Sequence, residues 1–354
     1  MGTKRKLLIL SPPFTSPGGV SSYVLSLKGN WSAQEKYFFR GNTGAHGFSR
    51  LLEMIKEYTA FFLTCLSGRD YKTVLVNTSM GRKALTRDNL FMWIARLTGK
   101  QVTVFIHGWD PAFFASCKPW RLSGLFKANR IFVLSDEFKK DLQKKGYPND
   151  ILVETTVVAN DFIRCFDEAG PAAPPQPNIL YLARLEPEKG IMTLLQAFRE
   201  LSVRYPSMHL DIAGFGSLED EVKEFIATQG MQNITYHGLV RGQAKAALFK
   251  SSGIYVLPTS HGEGLPISVL EAMAAGLVVV TSSAGALNGF FKDGKMGYKL
   301  SNVSGAHVAA KIEEAIRSKS KAEGISKFNF AYARNHFTVD KAISRLEKEI
   351  WSNQ

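Results

Sequence analysis

Short apolar runs alternate along this chain with segments of helical period. Residues 6–10 (KLLIL), 73–77 (TVLVN), 102–108 (VTVFIHG), 130–135 (RIFVLS) and 155–160 (TTVVAN) are brief, mostly apolar and rich in β-branched residues, the pattern of strands buried on both faces. Residues 20–29 (VSSYVLSLKG) and 87–99 (RDNLFMWIARLTG) fit helices between them. At 170–177 the run GPAAPPQP places four prolines in eight residues, which suits neither element and reads as a linker. The alternation then restarts with NILYLAR, MHLDIAGFG, ITYHGLV, GIYVLPTS and LVVVTSS. Strands alternating with helices predict parallel sheets covered on both faces.

The expectation is therefore an α/β protein of two doubly wound, Rossmann-like domains facing each other across a cleft. The first occupies 1–169, the linker 170–177 and the second domain 178–330. The amphipathic stretch at 328–351 is expected to be a long helix, with 331–354 packing back toward the first domain. In open parallel sheets ligands bind beyond the carboxyl ends of the strands. The loops that follow the strands are thus where chemistry is to be sought.

Charge sharpens this picture. Residues 1–165 hold 24 lysines and arginines against 12 acidic residues, whereas residues 166–354 hold 20 against 19. A basic first half attracts anions: nucleic acid, anionic lipid headgroups or phosphorylated substrates. It equally suits a merely basic soluble surface. No apolar run reaches the roughly 18–20 residues of a spanning helix, and the basic start precedes an apolar core, LLIL, too short for a signal peptide. A cytoplasmic protein is expected. The three cysteines, Cys65, Cys117 and Cys165, are odd in number and far apart, so neither a disulfide framework nor a zinc site is indicated. With no Asp-x-Asp and no grouping of His, Cys and carboxylate at ligand spacing, no metal or other cofactor is expected.

Several loops carry candidate chemistry. Gly18 and Gly19 stand between the first strand and the first helix, where a backbone without Cβ lets an anion approach the helix start; a plain strand-to-helix turn fits them as well. In LARLEPEKG, Arg184 and Lys189 bracket a loop before a helix. Two cations there suit a diphosphate, or form a solvated charged turn. Gly214 and Gly216 follow a strand and precede an acidic helix start, which has a structural reading through the helix dipole. His107 ends a buried strand, where it can donate to a hydroxyl or phosphate, act as acid or base, or be structural. His46, His237 and His261 share that ambiguity. In HGEGLPISVLEAMAAG, Glu263 lies in a turn and Glu271 in the second turn of an apolar helix. A carboxylate among such neighbours is costly unless paired. Two carboxylates at this spacing suit a polyol such as a sugar or a ribose.

These motifs, in this order, resemble the retaining nucleotide-sugar glycosyltransferases of family four (glycosyl transferases group 1), which have the GT-B fold. GGV, IHG, FVLS, VVAN, LARLEPEKG, IAGFG, YHGLV and LPTSHGEGLPISVLEAMAAG carry the resemblance. It implies that Glu271 holds ribose hydroxyls and that Glu263 contacts the transferred sugar with amides at Gly264, Leu265 and Ile267. Arg184 and Lys189 would clamp the diphosphate, Gly18 and Gly19 would admit the phosphates, and His107 would sit near sugar and acceptor. Gly216, Leu239 and Val240 would border the base. A metal-independent, front-face transfer with retention is implied, as is an acceptor that is a glycan or a lipid-linked glycan, in bacterial surface-polysaccharide assembly (lipopolysaccharide or capsule). Three positions depart from the family pattern: Leu277 where proline is usual, Asn288 where glutamate is frequent, and Asp161 where glycine is usual.

The stretch 49–66 combines Arg50 and Lys56 with Tyr58, Phe61, Phe62 and Leu63. It suits either a core-facing helix or peripheral contact with an anionic membrane on the way to a lipid-linked acceptor. Two other classes stay open at this stage: a nucleotide-sugar epimerase of the same architecture, and a basic nucleic-acid-binding protein, although no known nucleic-acid module is present. An inactive regulatory paralogue is disfavoured by the intact Arg184, Lys189, Glu263 and Glu271 set.

Overall fold

The computed structural model describes residues 5–16, 18–41, 47–168, 170–171, 178–260 and 264–352. They form two compact units: residues 1–156 with 339–354, and residues 157–338. Each is built on a six-stranded sheet whose named strand pairings are all parallel.

In the first unit the strands are β1 (Lys6–Ser11), β2 (Gln34–Phe39), β3 (Thr73–Met80), β4 (Gln101–Trp109), β5 (Arg130–Val133) and β6 (Ile151–Val153), in the order β2-β1-β3-β4-β5-β6. The chain reverses direction across the sheet between β1 and β3. The core strands carry apolar runs because helices cover both faces; Leu7 to Leu10 and Val74 to Val76 are all buried.

In the second unit the strands are β7 (Asn178–Leu182), β8 (His209–Ala213), β9 (Ile234–Gly238), β10 (Ile254–Leu257), β11 (Val278–Ser282) and β12 (Gly297–Leu300), in the order β12-β11-β10-β7-β8-β9. Its switch point lies between β7 and β10. Ligand crevices of doubly wound sheets open at such points, beyond the strand ends.

Three sequence expectations change here. The TTVVAN run forms no strand in the sheet; only Val158 pairs, in an isolated bridge with Thr338. This segment joins the second unit because Phe162 packs on Phe249 at 5.1 Å and Arg334 binds Asp167 at 3.1 Å. The stretch 328–351 is two helices, Lys319–His336 and Val339–Trp351. They part at buried Phe337 and at Thr338, the partner of Val158. Only the second helix groups with the first unit, where Arg345 binds Glu154 at 2.5 Å and Glu347 accepts from Ser32. Of the proline-rich linker, residues 172–177 lie outside the described residues.

Candidate functional site

The second unit gathers Arg184, Lys189, Gly264, Leu265, Ile267 and Glu271 at the carboxyl ends of its two central strands, β7 and β10. Beyond β7 the chain makes a single 3-10 turn, Pro187–Lys189, and enters the Ile191–Arg204 helix. The Tyr181 hydroxyl, buried at the end of β7, donates to the carbonyls of Arg184 (3.2 Å) and Lys189 (3.4 Å). Lys189 is buried, whereas the Arg184 side chain is 55 % exposed and reaches Glu186 only at 3.9 Å. The same turn is stapled to the loop after β10: Ser260 N–H and the Thr259 hydroxyl both donate to Glu188 O, at 2.8 and 3.0 Å. Gly190 has φ of 75°, and a Cβ there would stand 2.2 Å from Pro258 O, so only glycine lets the two loops meet.

From β10 the chain passes Gly264 and buried Leu265 into the Ile267–Ala275 helix, which Pro266 caps. Tyr255 anchors the helix start to β7, donating to Leu182 O at 3.1 Å and contacting Ser268 Oγ at 2.7 Å. Glu271 is buried between Leu270 and Ala272. The cost of that burial is met by Lys245, on the neighbouring Gly242–Ser251 helix, whose Nζ lies 2.5 Å from Glu271 Oε1. Lys245 also lies over the Phe162 ring at 5.3 Å. Sequence reading missed Lys245, because nothing in its own helical spacing marks its partner 26 residues on. Glu263, His261 and Gly262 lie outside the described residues.

Gly214 and Gly216, after β8, have a packing role. A Cβ on Gly214 would meet Ala183 O at 1.9 Å, and one on Gly216 would meet Leu185 O at 2.4 Å. The two glycines let this loop lie against the Arg184 loop, where Ser217 Oγ donates to Glu186 at 2.7 Å and helps hold that carboxyl below its ordinary range. Leu239 and Val240 follow β9 at the sheet edge, with Leu239 exposed. Asn288, one of the departures, accepts from Lys299 through its side-chain and backbone oxygens.

In the first unit Gly18 (φ 139°) caps the Gly19–Leu27 helix at the carboxyl end of β1. A Cβ on either glycine would meet nothing within 4 Å. Gly18 has a backbone reason to be glycine, and Gly19 has no internal one. The same helix places Tyr23 against the His107 ring, with centroids 4.6 Å apart, and Phe105 stacks on that ring at 4.2 Å while meeting Tyr23 edge-on at 5.3 Å. His107 Nε2 lies 2.9 Å from Asn77 Oδ1, while Asn77 Nδ2 donates to Leu10 O at 3.4 Å. With the amide so oriented, Nε2 carries the proton and Nδ1 is an acceptor. Nδ1 is buried without a hydrogen-bond partner. Burial, then the charge of Arg40, pushes the His107 pKa down to about 3, so the ring is neutral at physiological pH. Arg40 is itself buried against Asp88 at 2.9 Å. Asn77 and Arg40 were not among the expected residues; the polar residue closing TVLVN was a signal available for Asn77. His46 lies outside the described residues, and His237 is bound to Asp211 at 2.6 Å in a structural pair.

Two parallel Rossmann-like sheets with these switch points define the class, the GT-B fold. A sucrose-phosphate synthase from Thermosynechococcus elongatus superposes with a TM-score of 0.75 at 15 % identity, over 99 % of this chain and all (100 %) of that one. Anabaena Alr3699/HepE, in complex with UDP and glucose, superposes with a TM-score of 0.72 at 18 % identity, over 98 % of this chain and 100 % of that one. Residues 166–331 match the family model of the glycosyl transferases group 1. A phosphatidyl-myo-inositol mannosyltransferase of Mycobacterium tuberculosis is 33 % identical over 122 residues, 34 % of this chain and 32 % of that protein. The chain thus spans about a third of the length of this curated relative.

Proposed function

We propose that the protein is a retaining glycosyltransferase that moves a hexose or N-acetylhexosamine from a UDP- or GDP-linked donor to a glycan or lipid-linked glycan, without a metal ion. The observation that carries this reading is Glu271, a carboxyl group buried beside the switch point of the second sheet and paired with Lys245. A fold gains nothing by burying such a pair in place of apolar side chains, whereas two carboxylate oxygens are suited to accept ribose hydroxyls. Arg184 and Lys189 supply positive charge for the diphosphate, and Arg184 is exposed with only a loose partner. Gly264, Leu265 and Ile267 offer backbone amides and Glu263 a second carboxylate toward the sugar. Gly216, Leu239 and Val240 border the base, and Gly18 and Gly19 admit the phosphates. His107 offers its bare Nδ1 to a hydroxyl.

In the reaction the bond from the anomeric carbon to the phosphate oxygen breaks, and its electron pair leaves with the diphosphate. The acceptor oxygen bonds to the anomeric carbon on the same face, and its proton passes to the leaving phosphate oxygen. Negative charge grows on the diphosphate, where two cations stabilise the transition state more than the ground state. The acceptor belongs, in this reading, to bacterial surface-polysaccharide assembly at the cytoplasmic face of a membrane, and nucleic acid is not a partner.

The test is calorimetric titration of UDP, GDP and ADP in excess EDTA, on wild type and Glu271→Ala. One nucleotide binds without metal, and the variant loses about 1–3 kcal/mol, the cost of unpairing charged hydrogen bonds. No binding by any of the three, or equal binding by the variant, sinks the assignment.

A further inference from the structure

The Gly47–Ser67 helix of the first unit leaves Leu51, Leu52, Ile55, Phe62, Leu63 and Leu66 in solvent, each between 41 % and 56 % exposed. At about 3.6 residues per turn the six share one arc of roughly 120°, in which Thr59 is the only polar residue. The packing of the helix uses a different side: Phe61 and Cys65 are buried, and Tyr58 and Phe61 meet Phe91 of the neighbouring Arg82–Leu97 helix. The exposed stripe is therefore additional to what the core requires. The second unit shows the contrast, since its exposed large apolar residues Val203, Phe215 and Leu239 sit singly on three different elements. Single exposed apolar residues are ordinary; a contiguous face on one helix marks an interaction surface.

Charge identifies the occupant. Lys56 borders the stripe and Arg69 lies just past the last turn, both exposed. Residues 1–165 carry a surplus of 12 positive charges, and the rest of the chain a surplus of one. Among the described residues no helix is long and apolar enough to cross a membrane. A helix of 21 residues with one apolar face, one core face and basic flanks is built to lie in an interface.

We propose that this face docks on an anionic lipid bilayer, with the six apolar side chains in the acyl boundary and Lys56 and Arg69 against headgroup phosphates. The proposal deepens, and rests on, the reading of a lipid-linked acceptor, because it brings the acceptor-side unit to the surface where such an acceptor resides.

The experiment is vesicle flotation of the full chain. It uses phosphatidylcholine alone and an equal mixture of phosphatidylcholine and phosphatidylglycerol, with Ile55→Glu/Leu63→Glu and, as a control, Val203→Glu. Wild type and the control float with the mixed vesicles and not with the neutral ones. The double variant loses binding by about tenfold or more, with an unchanged unfolding midpoint. Wild type that ignores the mixed vesicles, or a double variant that floats as well as wild type, overturns the proposal. So does a wild-type dimer that the double variant turns into a monomer without any flotation, since the stripe is then a subunit contact. Nucleotide titration of the same samples separates the two readings. Binding retained without flotation removes the docking face alone, and flotation without nucleotide binding removes the donor reading alone.

Discussion

Lys245 and Glu271 stand on adjacent helices of the second unit, Nζ to Oε1 2.5 Å, with the carboxylate 4 % exposed. Neither is placed there for stability alone, because a buried pair rarely outperforms apolar residues of the same volume. Removing one partner should therefore cost more than removing both. Lys245→Met strands the carboxylate and is expected to destabilise by about 2–4 kcal/mol. Adding Glu271→Leu should recover most of that loss while nucleotide binding stays weakened, as in Glu271→Ala. Urea midpoints and calorimetry on the three variants form the cycle. A double variant no more stable than Lys245→Met would remove the pairing argument.

The glycines separate by what a methyl group would meet. Gly216→Ala forces Cβ to 2.4 Å from Leu185 O, and Gly190→Ala to 2.2 Å from Pro258 O at a positive φ. Both are expected to lose about 2 kcal/mol or more through backbone displacement. Gly19→Ala meets nothing within 4 Å and sits at a helix start, so its stability is unchanged or slightly raised. Transfer should nevertheless fall, because the added methyl stands where we assign the phosphates. Thermal unfolding and initial rates on the three variants read this, and undiminished transfer by Gly19→Ala argues against phosphates at that loop.

His107 links pH to stability. Its folded pKa is pushed down to about 3, from 6.5 in the unfolded chain. Between those values the unfolded chain binds a proton that the native ring refuses. The contribution is whole above pH 6.5 and is lost as pH falls, by up to about 1.4 kcal/mol per unit. His107→Gln keeps a donor for Asn77 and lacks the titration. Wild type should lose more stability than this variant between pH 7 and 4.5. Equal losses in urea unfolding at the two pH values would mean that the native ring takes up the proton.

Asn77 sets the tautomer of the same ring. Nitrogen-15 shifts of the histidines should show one neutral ring protonated at Nε2 from pH 5 to 8. In Asn77→Asp a carboxylate faces that nitrogen, and the ring should begin to titrate within the range. A His107 protonated at Nδ1 in wild type would remove its role as an acceptor.

Arg184 should act without supporting the fold. Its exposed side chain has only a 3.9 Å contact to Glu186, of the kind worth about 0–1 kcal/mol. Arg184→Ala should leave the unfolding midpoint in place and lower kcat by about a hundredfold, as expected for losing a charge that stabilises the leaving group. An unchanged kcat would take Arg184 out of the site.

Much of this protein was legible in its residues, for reasons that can be named. Strands buried on both faces are short apolar runs, so β1, β3, β4, β5, β7, β8, β10 and β11 stood out, ITYHGLV marked β9 as well, and strand–helix alternation implied the parallel sheets. Gly190, Gly214 and Gly216 sit where their loops require glycine, but the carbonyls they face come from other segments, so that need was not readable. Less was legible where the environment decides. The edge strand β2, QEKYFF, is half polar and buries none of its residues fully, and TTVVAN has strand composition without a neighbouring strand to pair with. Whether the apolar side of 49–66 faced core or solvent depended on which arc the Arg82–Leu97 helix covers. The burial of Glu271 followed from its neighbours, but its pairing with Lys245 did not. An ion pair across two helices leaves no periodic trace in either, and only packing brings the two side chains together.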